Sequence, residues 1–268
     1  MKPERTRLAE PDTVLVTGAS GGIGGALATA YARPNRRLIL QGRRVVELQR
    51  VAEQCRELGA IVEVEQRELR DTEAWMTWLA AAAERQPIDL AIINAGVTSH
   101  IGPDGRGEEW SRVDTVIDVN IRAAIATAEA LIPTMRRRGH GQIALISSVS
   151  AYIGLPLTPS YCASKAALKA YGEALRGWLA HEGIAINVVL PGFVESAMSH
   201  QFPGPKLFVL SPEQAAERIR KGLARDCARI GFPFLLDWGL WALGVLPPAL
   251  SLRMLRGLGY GGGRRHRI

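Results

Sequence analysis

The sequence predicts a doubly wound α/β fold, in which helices cover both faces of a parallel β-sheet. Short aliphatic or β-branched runs alternate with longer alanine-rich stretches of helical spacing as far as about residue 195. Strands that alternate with helices require crossover connections, and such connections join parallel strands. Several of the short runs are apolar throughout, as expected of strands that are buried on both faces.

The predicted elements follow one another without a linker or an internal repeat. Strands are predicted at residues 13–16, 37–40, 61–64, 90–93, 142–146 and 185–189. Helices are predicted at residues 24–32, 43–58, 73–83, 160–179 and 212–223. A chain of 268 residues is long enough to bury a sizeable core. We therefore expect one α/β domain over residues 1–230 and a C-terminal extension over residues 231–268.

The composition excludes several classes of protein. With 47% hydrophobic and 22% charged residues, the chain is neither disordered nor fibrous. The three cysteines, Cys55, Cys162 and Cys227, have no regular spacing, so we expect no disulfide framework and no metal site. A reducing compartment fits them best. Because the charged N-terminus leads into no apolar segment and no long apolar run follows, we expect a cytoplasmic protein without a signal peptide or a transmembrane helix.

The positive charge is concentrated at the C-terminus. The net charge is +7, and five of these charges belong to arginines in residues 251–268, which contain no acidic residue. The rest of the chain is nearly balanced. This distribution argues against a nucleic-acid-binding face across the domain.

A glycine-rich loop follows the first predicted strand. Thr17-Gly18-Ala19-Ser20-Gly21-Gly22-Ile23-Gly24 lies between that strand and the first helix. Glycines let the backbone turn tightly and approach a pyrophosphate, and the following helix N-terminus offers free N–H groups and a positive dipole end. In this context the loop predicts a dinucleotide site rather than an ordinary glycine-rich turn. The expected contacts are Gly18, Ser20, Gly22, Ile23 and Gly24.

Four further motifs follow in order. Asn94-Ala95-Gly96 ends the fourth strand, and Asn120 lies in the next helical segment. Ser148 ends the fifth strand, Tyr161 follows it by thirteen residues, and Lys165 follows Tyr161 by four. With the glycine loop, these motifs resemble the short-chain dehydrogenase/reductase family over about residues 12 to 200. The resemblance implies a Rossmann-like fold and a nicotinamide-dependent oxidoreductase.

The resemblance also implies a role for each of four residues in the interconversion of a carbonyl and an alcohol. A carbonyl that receives a hydride becomes an alkoxide and needs a proton, which Tyr161 would supply. The free tyrosine pKa is about 10, and Lys165 on the same helix face would lower it. Ser148 would donate a hydrogen bond to the carbonyl oxygen. Asn120 would hold a water molecule linked to Lys165 and complete a proton relay.

The end of the second strand favours NADP(H) over NAD as the cofactor. No acidic residue stands near Gly42 to hold a ribose 2′-hydroxyl, whereas Arg43 offers a planar cation suited to a 2′-phosphate. The alternative is that Arg43 and Arg44 merely begin a solvated helix. Gly21 stands where many NADP-selective relatives have a basic residue.

Further cofactor contacts follow from the resemblance. Glu68 and Leu69 match the segment that contacts adenine, although the family usually has aspartate first. Lys165 would also hold the nicotinamide ribose. The turn at residues 191–196 would face the carboxamide, with Ser196 in place of threonine. The complete set expected beyond the loop and Arg43 is Glu68, Leu69, Asn94, Ala95, Gly96, Tyr161, Lys165, Pro191, Gly192, Val194 and Ser196.

Three segments are expected to line the substrate site, at residues 98–102, 149–158 and 193–210. The last is rich in apolar residues and indicates a mobile apolar lid. A ketone or a 3-oxoacyl compound therefore fits better than a sugar phosphate. His100 and His200 are interpreted as loop histidines, and Cys162 as an inert packing residue.

The C-terminal extension departs from a minimal family member. Residues 231–248 and 249–258 are strongly apolar, contain two tryptophans, and precede a glycine-rich basic end at residues 261–267. Packing against the protein's own body or a neighbouring subunit is the favoured interpretation. Peripheral contact of residues 231–258 with an anionic membrane surface is the alternative.

The prediction for the whole chain is an NADP(H)-dependent oxidoreductase acting on an apolar or lipid-like carbonyl or alcohol. Two other functions stay open: a catalytically silent NADP(H)-sensing protein, and a membrane-recruited binding protein of the same fold. The resemblance also implies a homo-oligomer built on helices at residues 111–135 and 161–179.

Overall fold

In a computed structural model of the protein, residues 10–102 and 104–260 are described. Within these residues, seven strands form one parallel sheet in the order β3-β2-β1-β4-β5-β6-β7. The strands are β1 (Thr13–Thr17), β2 (Arg37–Gln41), β3 (Ile61–Glu65), β4 (Leu90–Ile93), β5 (Gly141–Ile146), β6 (Ile184–Pro191) and β7 (Arg229–Phe232). The predicted N-terminal segment before residue 10 and the basic end at residues 261–267 lie outside the described residues.

Helices connect the strands and cover both faces of the sheet. The α-helices of the described chain are α1 (Gly22–Tyr31), α2 (Val45–Glu57), α3 (Thr72–Arg85), α4 (Trp110–Ile117), α5 (Ala123–Arg138), α6 (Pro159–Leu179), α7 (Ala197–His200), α8 (Pro212–Ala224), α9 (Phe234–Gly244) and α10 (Pro248–Gly257). Common capping residues mark the ends of two of these helices. Ser211 and Gln214 form a capping box at the start of α8, and Gly139 ends α5 in the left-handed conformation.

The alternation of side chains along each strand builds two cores, one on each face of the sheet. Val14 and Val16 of β1 pack with α1, α2 and α8, whereas Leu15 between them packs with α3, α5 and α6. Leu15 is in register with Ile39 of β2 and Ala91 of β4. These features confirm the predicted doubly wound, Rossmann-like parallel sheet in a single domain.

The order of the strands positions the site. The chain moves outward from β1 to β2 and β3, and then returns to place β4 on the other side of β1. Neighbouring loops therefore leave the sheet in opposite directions at the carboxyl ends of β1 and β4. In open α/β sheets this reversal creates the crevice where ligands bind.

The expected helix over residues 111–135 is interrupted by one π-helical turn. Residues Asp118–Arg122 form this turn between α4 and α5. A π turn adds one residue to a helical turn and is common at functional sites. Here it contains Asn120, whose side chain is fully buried.

The seventh strand was not predicted. β7 pairs with β6, with Pro191 opposite Phe232. β7 is only four residues long and is followed directly by Pro233 and the apolar extension. A short apolar run in such a context cannot be distinguished from the extension by its pattern. The boundary expected between residues 230 and 231 falls inside this strand.

The extension packs against the body through one face. Leu236, Leu240 and Leu243 of α9 and Leu255 of α10 are buried in a third apolar cluster, which includes Val188 and Leu190 of β6. The opposite face of α9 is exposed. No helix among the described residues is both long and apolar enough to cross a membrane.

Candidate active site

A cleft of about 650 Å³ opens at the carboxyl ends of the strands. It extends from the loop after β1, past the ends of β4 and β5, to the extension. The three segments expected at the substrate site line this cleft only in part. Every residue expected to be catalytic or to contact the cofactor lines it, with the exceptions of Gly24 and Asn120. These two residues lie directly behind the wall.

The loop after β1 has the backbone shape that a dinucleotide requires. Gly18 and Gly22 have φ angles of 67° and 55°, in a region that side-chain-bearing residues rarely adopt. A Cβ on Gly18 would lie 2.8 Å from Cα of Ala95, so the loop and the end of β4 are in close contact. Gly22 and Ile23, which begin α1, line the cleft, and the first N–H groups of a helix have no partner within it. The loop therefore fits a pyrophosphate.

Asn94 holds the two central loops together. Its side-chain amide donates to the carbonyl oxygens of Thr17 and Gly18 at 3.0 and 3.2 Å. In return, the Thr17 hydroxyl accepts the backbone N–H groups of Asn94 and Ala95. A Cβ on Gly24 would collide with the Gly18 carbonyl and the Asn94 amide, so α1 can approach the loop only without a side chain there.

Ser148, Tyr161 and Lys165 meet at the end of β5. Lys165, buried in α6, donates from Nζ to the carbonyl oxygen of Ile146 at 2.9 Å. The Ser147 hydroxyl donates to the Lys165 carbonyl at 2.7 Å and fixes α6 against the strand. Lys165 Nζ lies 5.7 Å from the centre of the Tyr161 ring. The helix spacing thus brings the phenol and the ammonium to one side of the cleft.

The pKa of Tyr161 moves in the opposite direction from the one expected. Burial of the phenol raises its pKa to about 12, although a hydrogen bond with Ser148 opposes the change. Burial also lowers the pKa of Lys165 to about 8. The expectation that Lys165 lowers the tyrosine pKa considered only the charge, whereas desolvation penalises both charged forms and dominates here.

Asn120 is held behind the cleft by three hydrogen bonds. Its Oδ1 accepts from the Val97 N–H at 2.8 Å, and its Nδ2 donates to the Val97 carbonyl at 2.9 Å and to the Ser164 hydroxyl at 3.0 Å. A Cβ on Gly96 would lie 3.3 Å from Asn120 Oδ1 and 3.5 Å from Lys165 Nζ. Asn120 and Lys165 thus lie on either side of the same glycine. They form no direct hydrogen bond with each other.

Two guanidinium groups stand at the adenosine end of the cleft. Arg43 forms an ion pair with Glu68 at 3.5 Å, and both side chains are about half exposed. Arg44, which the sequence analysis treated only as part of a helix start, donates to the Ser20 carbonyl at 2.9 Å and also lines the cleft. Two permanent cations therefore border the loop, and each is paired with a carboxylate, Arg43 with Glu68 and Arg44 with Glu47 at 3.4 Å.

The turn after β6 closes the cleft from the side of β7. The Gly192 N–H donates to the Phe232 carbonyl at 2.7 Å, so the unpredicted strand fixes this turn. Ser196 caps the short helix α7 by accepting from the Ser199 N–H. Pro191, Gly192, Val194 and Ser196 all line the cleft.

The substrate end of the cleft has an apolar wall that the sequence analysis assigned only in part. Phe193 and Phe202 pack with ring centres 5.1 Å apart, and Phe202 lies 6.2 Å from the ring of Tyr260. Leu236 and Leu240 of α9 line the same region. The extension thus forms part of the wall. No local motif identifies these residues, because tertiary packing alone brings them to the cleft.

Neither predicted loop histidine lines the cleft, within the part of the chain that the structure describes. Cys162 is buried in the third apolar cluster and accepts the Leu155 N–H at 3.3 Å. Burial raises the pKa of this thiol, which disfavours the reactive thiolate. Glu108, which belongs to no sequence motif, accepts hydrogen bonds through its carboxylate from the N–H and hydroxyl of Ser160 at the start of α6.

Comparisons with known proteins agree with this geometry. A parallel sheet with a glycine loop at its reversal defines a dinucleotide-binding α/β protein. Residues 12–205 match the model of the short chain dehydrogenase family. An uncharacterized oxidoreductase of Myxococcus xanthus is 34% identical over 241 residues, covering 89% of this chain and 94% of that protein. The chain belongs to the short-chain dehydrogenase/reductase family, a family of oxidoreductases.

Two further relatives bear on the site. The 3-oxoacyl-[acyl-carrier-protein] reductase of Rickettsia conorii is 34% identical over 192 residues, which cover 70% of this chain and 74% of that protein. The solved structure of a short-chain dehydrogenase from Sphingobium yanoikuyae in complex with NADPH has a TM-score of 0.76 and 26% identity. That match covers 96% of this chain and 98% of the other.

Proposed function

We propose that this protein is an NADP(H)-dependent oxidoreductase that interconverts an apolar carbonyl compound and its alcohol. One observation carries the proposal: Ser148, Tyr161 and Lys165 converge where a dinucleotide loop and an apolar wall share one cleft. The first part of the cleft suits a cofactor with phosphates, and the second suits a substrate without charge.

The residues of this chain account for binding and for the movement of the proton. Bound nicotinamide supplies the hydride. The N–H groups at the start of α1 would hold the pyrophosphate, and Lys165 would hold the nicotinamide ribose. Because the pKa of Tyr161 is raised to about 12, its phenol is protonated near neutral pH and can donate to the carbonyl oxygen. Ser148 donates a second hydrogen bond to that oxygen as negative charge develops.

The preference for NADP(H) rests on charge at the adenosine end. Arg43 and Arg44 border the loop, and a guanidinium can hold a 2′-phosphate through two charge-assisted hydrogen bonds. Glu68, which pairs with Arg43, would repel that phosphate unless the arginines outweigh it. Arg44 also pairs with Glu47, but Glu47 does not line the cleft. Two arginines and one carboxylate therefore face this end of the cleft, which supports NADP(H). The relative of known structure that binds NADPH supports the same choice.

The substrate class follows from the apolar wall. Phe193, Phe202, Leu236, Leu240 and Tyr260 offer carbon surface with one phenol hydroxyl and no charge. A bulky ketone or a 3-oxoacyl group would gain free energy by leaving water there, whereas a sugar phosphate would lose its hydration without a cation in return. A relative named as a 3-oxoacyl-[acyl-carrier-protein] reductase supports this class.

The test is NADPH oxidation with paired ketones, each apolar compound beside a charged compound of similar size. We expect turnover of the apolar member. Tyr161→Phe removes the proton donor and should lower kcat by about a hundredfold or more while NADPH binding stays unchanged. Tyr171→Phe is the matched control, because Tyr171 lies on the same helix and bonds Glu129 away from the cleft. NADPH binding without turnover of any carbonyl would support the silent cofactor-sensing alternative instead.

A further inference from the structure

The outer face of α9 is unusually apolar for a helix on a protein surface. We define this face by Phe234, Leu235, Trp238 and Trp241, which lie along one side of the helix, and by Val245, which directly follows it. Phe234 and Leu235 are each 67% exposed, and Trp238 is 55% exposed. The hydrophobic effect penalises such surface in water, so contiguous exposed patches of this kind mark interaction sites.

The aromatic side chains of this face form a cluster. The rings of Phe234 and Trp238 lie 5.9 Å apart, and those of Trp238 and Trp241 lie 5.5 Å apart in an edge-to-face arrangement. Tryptophan has a large apolar ring and one N–H donor. It therefore suits the boundary between lipid headgroups and acyl chains.

The body of the protein holds this face outward. Leu236, Leu240 and Leu243, on the opposite side of α9, are buried in the third apolar cluster. Asp237, the only acidic residue after residue 230, is turned toward the body and accepts the Tyr152 hydroxyl at 2.9 Å. The outer face is consequently left without negative charge.

Positive charge accompanies the apolar surface. Arg253 and Arg256 on α10 are exposed, and neither forms an ion pair with a residue among 10–102 and 104–260. Leu250 and Met254 are exposed on the same short helix, and Leu258 is exposed directly after it. In sequence, three more arginines follow at positions 264, 265 and 267. An apolar face with basic and no acidic neighbours is complementary to an anionic lipid surface.

We propose that α9 and α10 dock this protein on the surface of an anionic lipid bilayer. The outer face of α9 would enter the headgroup boundary, while the arginines of α10 would contact lipid phosphates. A second copy of the chain fits this face less well. A symmetric contact would bring the arginines of both copies together, with no acidic residue in the patch to pair with them.

The test is co-sedimentation of the full-length protein with vesicles. We expect binding to vesicles that contain phosphatidylglycerol, weaker binding to phosphatidylcholine alone, and weakening of the former by salt. Phe234→Ser with Trp238→Ser should lower the partition coefficient by roughly tenfold or more through loss of apolar contact. Arg253→Gln with Arg256→Gln should lower it by roughly 25-fold on the anionic vesicles only, at roughly fivefold per arginine.

Matched controls separate docking from nonspecific effects. Trp110→Ser removes a more exposed tryptophan on α4, and Arg50→Gln with Arg85→Gln removes two exposed arginines outside the extension. These variants should bind as the unaltered protein does. Thermal unfolding shows that each variant is folded.

Two results would overturn the proposal. One is equal binding of anionic vesicles by the outer-face variants and the unaltered protein. The other is failure of the unaltered protein to bind any vesicle. If the unaltered protein binds no vesicle, sedimentation velocity without lipid tests for self-association. Self-association that is lost in the Phe234→Ser, Trp238→Ser variant would identify a second copy as the occupant of this face.

Discussion

Lys165 is a basic residue buried where its charge is costly. Desolvation lowers its pKa to about 8, and its Nζ retains one hydrogen bond, to the Ile146 carbonyl. Proteins keep such groups where they serve chemistry, because a hydrophobic residue of similar size would stabilise the fold more. The cost should therefore be measurable as a dependence of stability on pH.

The sign of this dependence follows from proton binding. Lys165 has a folded pKa of about 8 and an ordinary value of 10.5, so between these values the unfolded chain binds a proton that the folded protein does not. Raising the pH through this window favours the folded state. From pH 8 to 10 the free energy of unfolding should rise by up to about 2 kcal/mol relative to Lys165→Met, which retains Tyr161 and every other titratable group.

Urea unfolding at several pH values measures this difference. Lys169→Met, on the same helix, is the control and should keep the rise. If the free energies of unfolding of the unaltered protein and of Lys165→Met change in parallel between pH 8 and 10, burial does not lower the pKa of Lys165.

Arg43 should determine the choice between NADPH and NADH. Arg43→Ala would remove the proposed charge-assisted contact with the 2′-phosphate and should weaken NADPH binding by roughly tenfold to a hundredfold. NADH binding should change little. Fluorescence titration measures both, and Arg50→Ala on the solvent side of α2 is the control. Unchanged NADPH affinity in Arg43→Ala would contradict the role of Arg43 and leave Arg44 as the residue that binds the 2′-phosphate.

At the scale of elements, α6 carries Tyr161 and Lys165 and depends on close approach to the sheet. Gly172 faces the strands: a Cβ there would lie 2.6 Å from Val188 Cγ2 and 2.7 Å from Leu145 Cδ1. Gly177, later in the same helix, has nothing within 4 Å of its Cβ position. The two glycines therefore serve different purposes.

Gly172→Ala and Gly177→Ala should affect stability with opposite signs. The first overpacks the contact of α6 with β5 and β6 and should cost about 1–3 kcal/mol. The second adds a better helix former at an open position and should stabilise by about 0.5–1 kcal/mol. Because displacement of α6 also moves Tyr161, kcat should fall in Gly172→Ala only. Equal effects on stability would show that the approach is not tight.

At the scale of the whole molecule, the extension completes the cleft. Leu240→Ser places a hydroxyl in the apolar wall and should lower kcat/KM for a bulky apolar ketone by about tenfold relative to a small one. The ratio of kcat/KM for the bulky ketone to kcat/KM for the small ketone does not depend on the amount of folded protein. Leu235→Ser, on the exposed side of α9, should leave the ratio unchanged. The same change in both variants would mean that α9 does not select the substrate.

The parts predicted from sequence are those encoded locally. Alternating apolar runs fixed six strands, and the motifs around Gly18, Ser148 and Tyr161 lie at strand ends that a parallel sheet brings together. The parts missed depend on distant neighbours. β7 forms only against β6, and Leu236 reaches the cleft only when the extension folds back. The direction of the Tyr161 pKa change likewise depends on burial, which no local spacing reveals.

In the proposed reaction, NADPH bound in this cleft transfers a hydride to an apolar carbonyl while Tyr161 supplies the proton. The most direct test of this reaction is incubation of the protein with NADPH deuterated at the transferable position of the nicotinamide and an apolar ketone, followed by mass spectrometry of the alcohol. We predict an alcohol that carries one deuterium, formed by the unaltered protein and by Tyr171→Phe, and nearly absent with Tyr161→Phe. Equal labelling by Tyr161→Phe, or no labelled alcohol from the unaltered protein with any apolar ketone tested, would contradict the account.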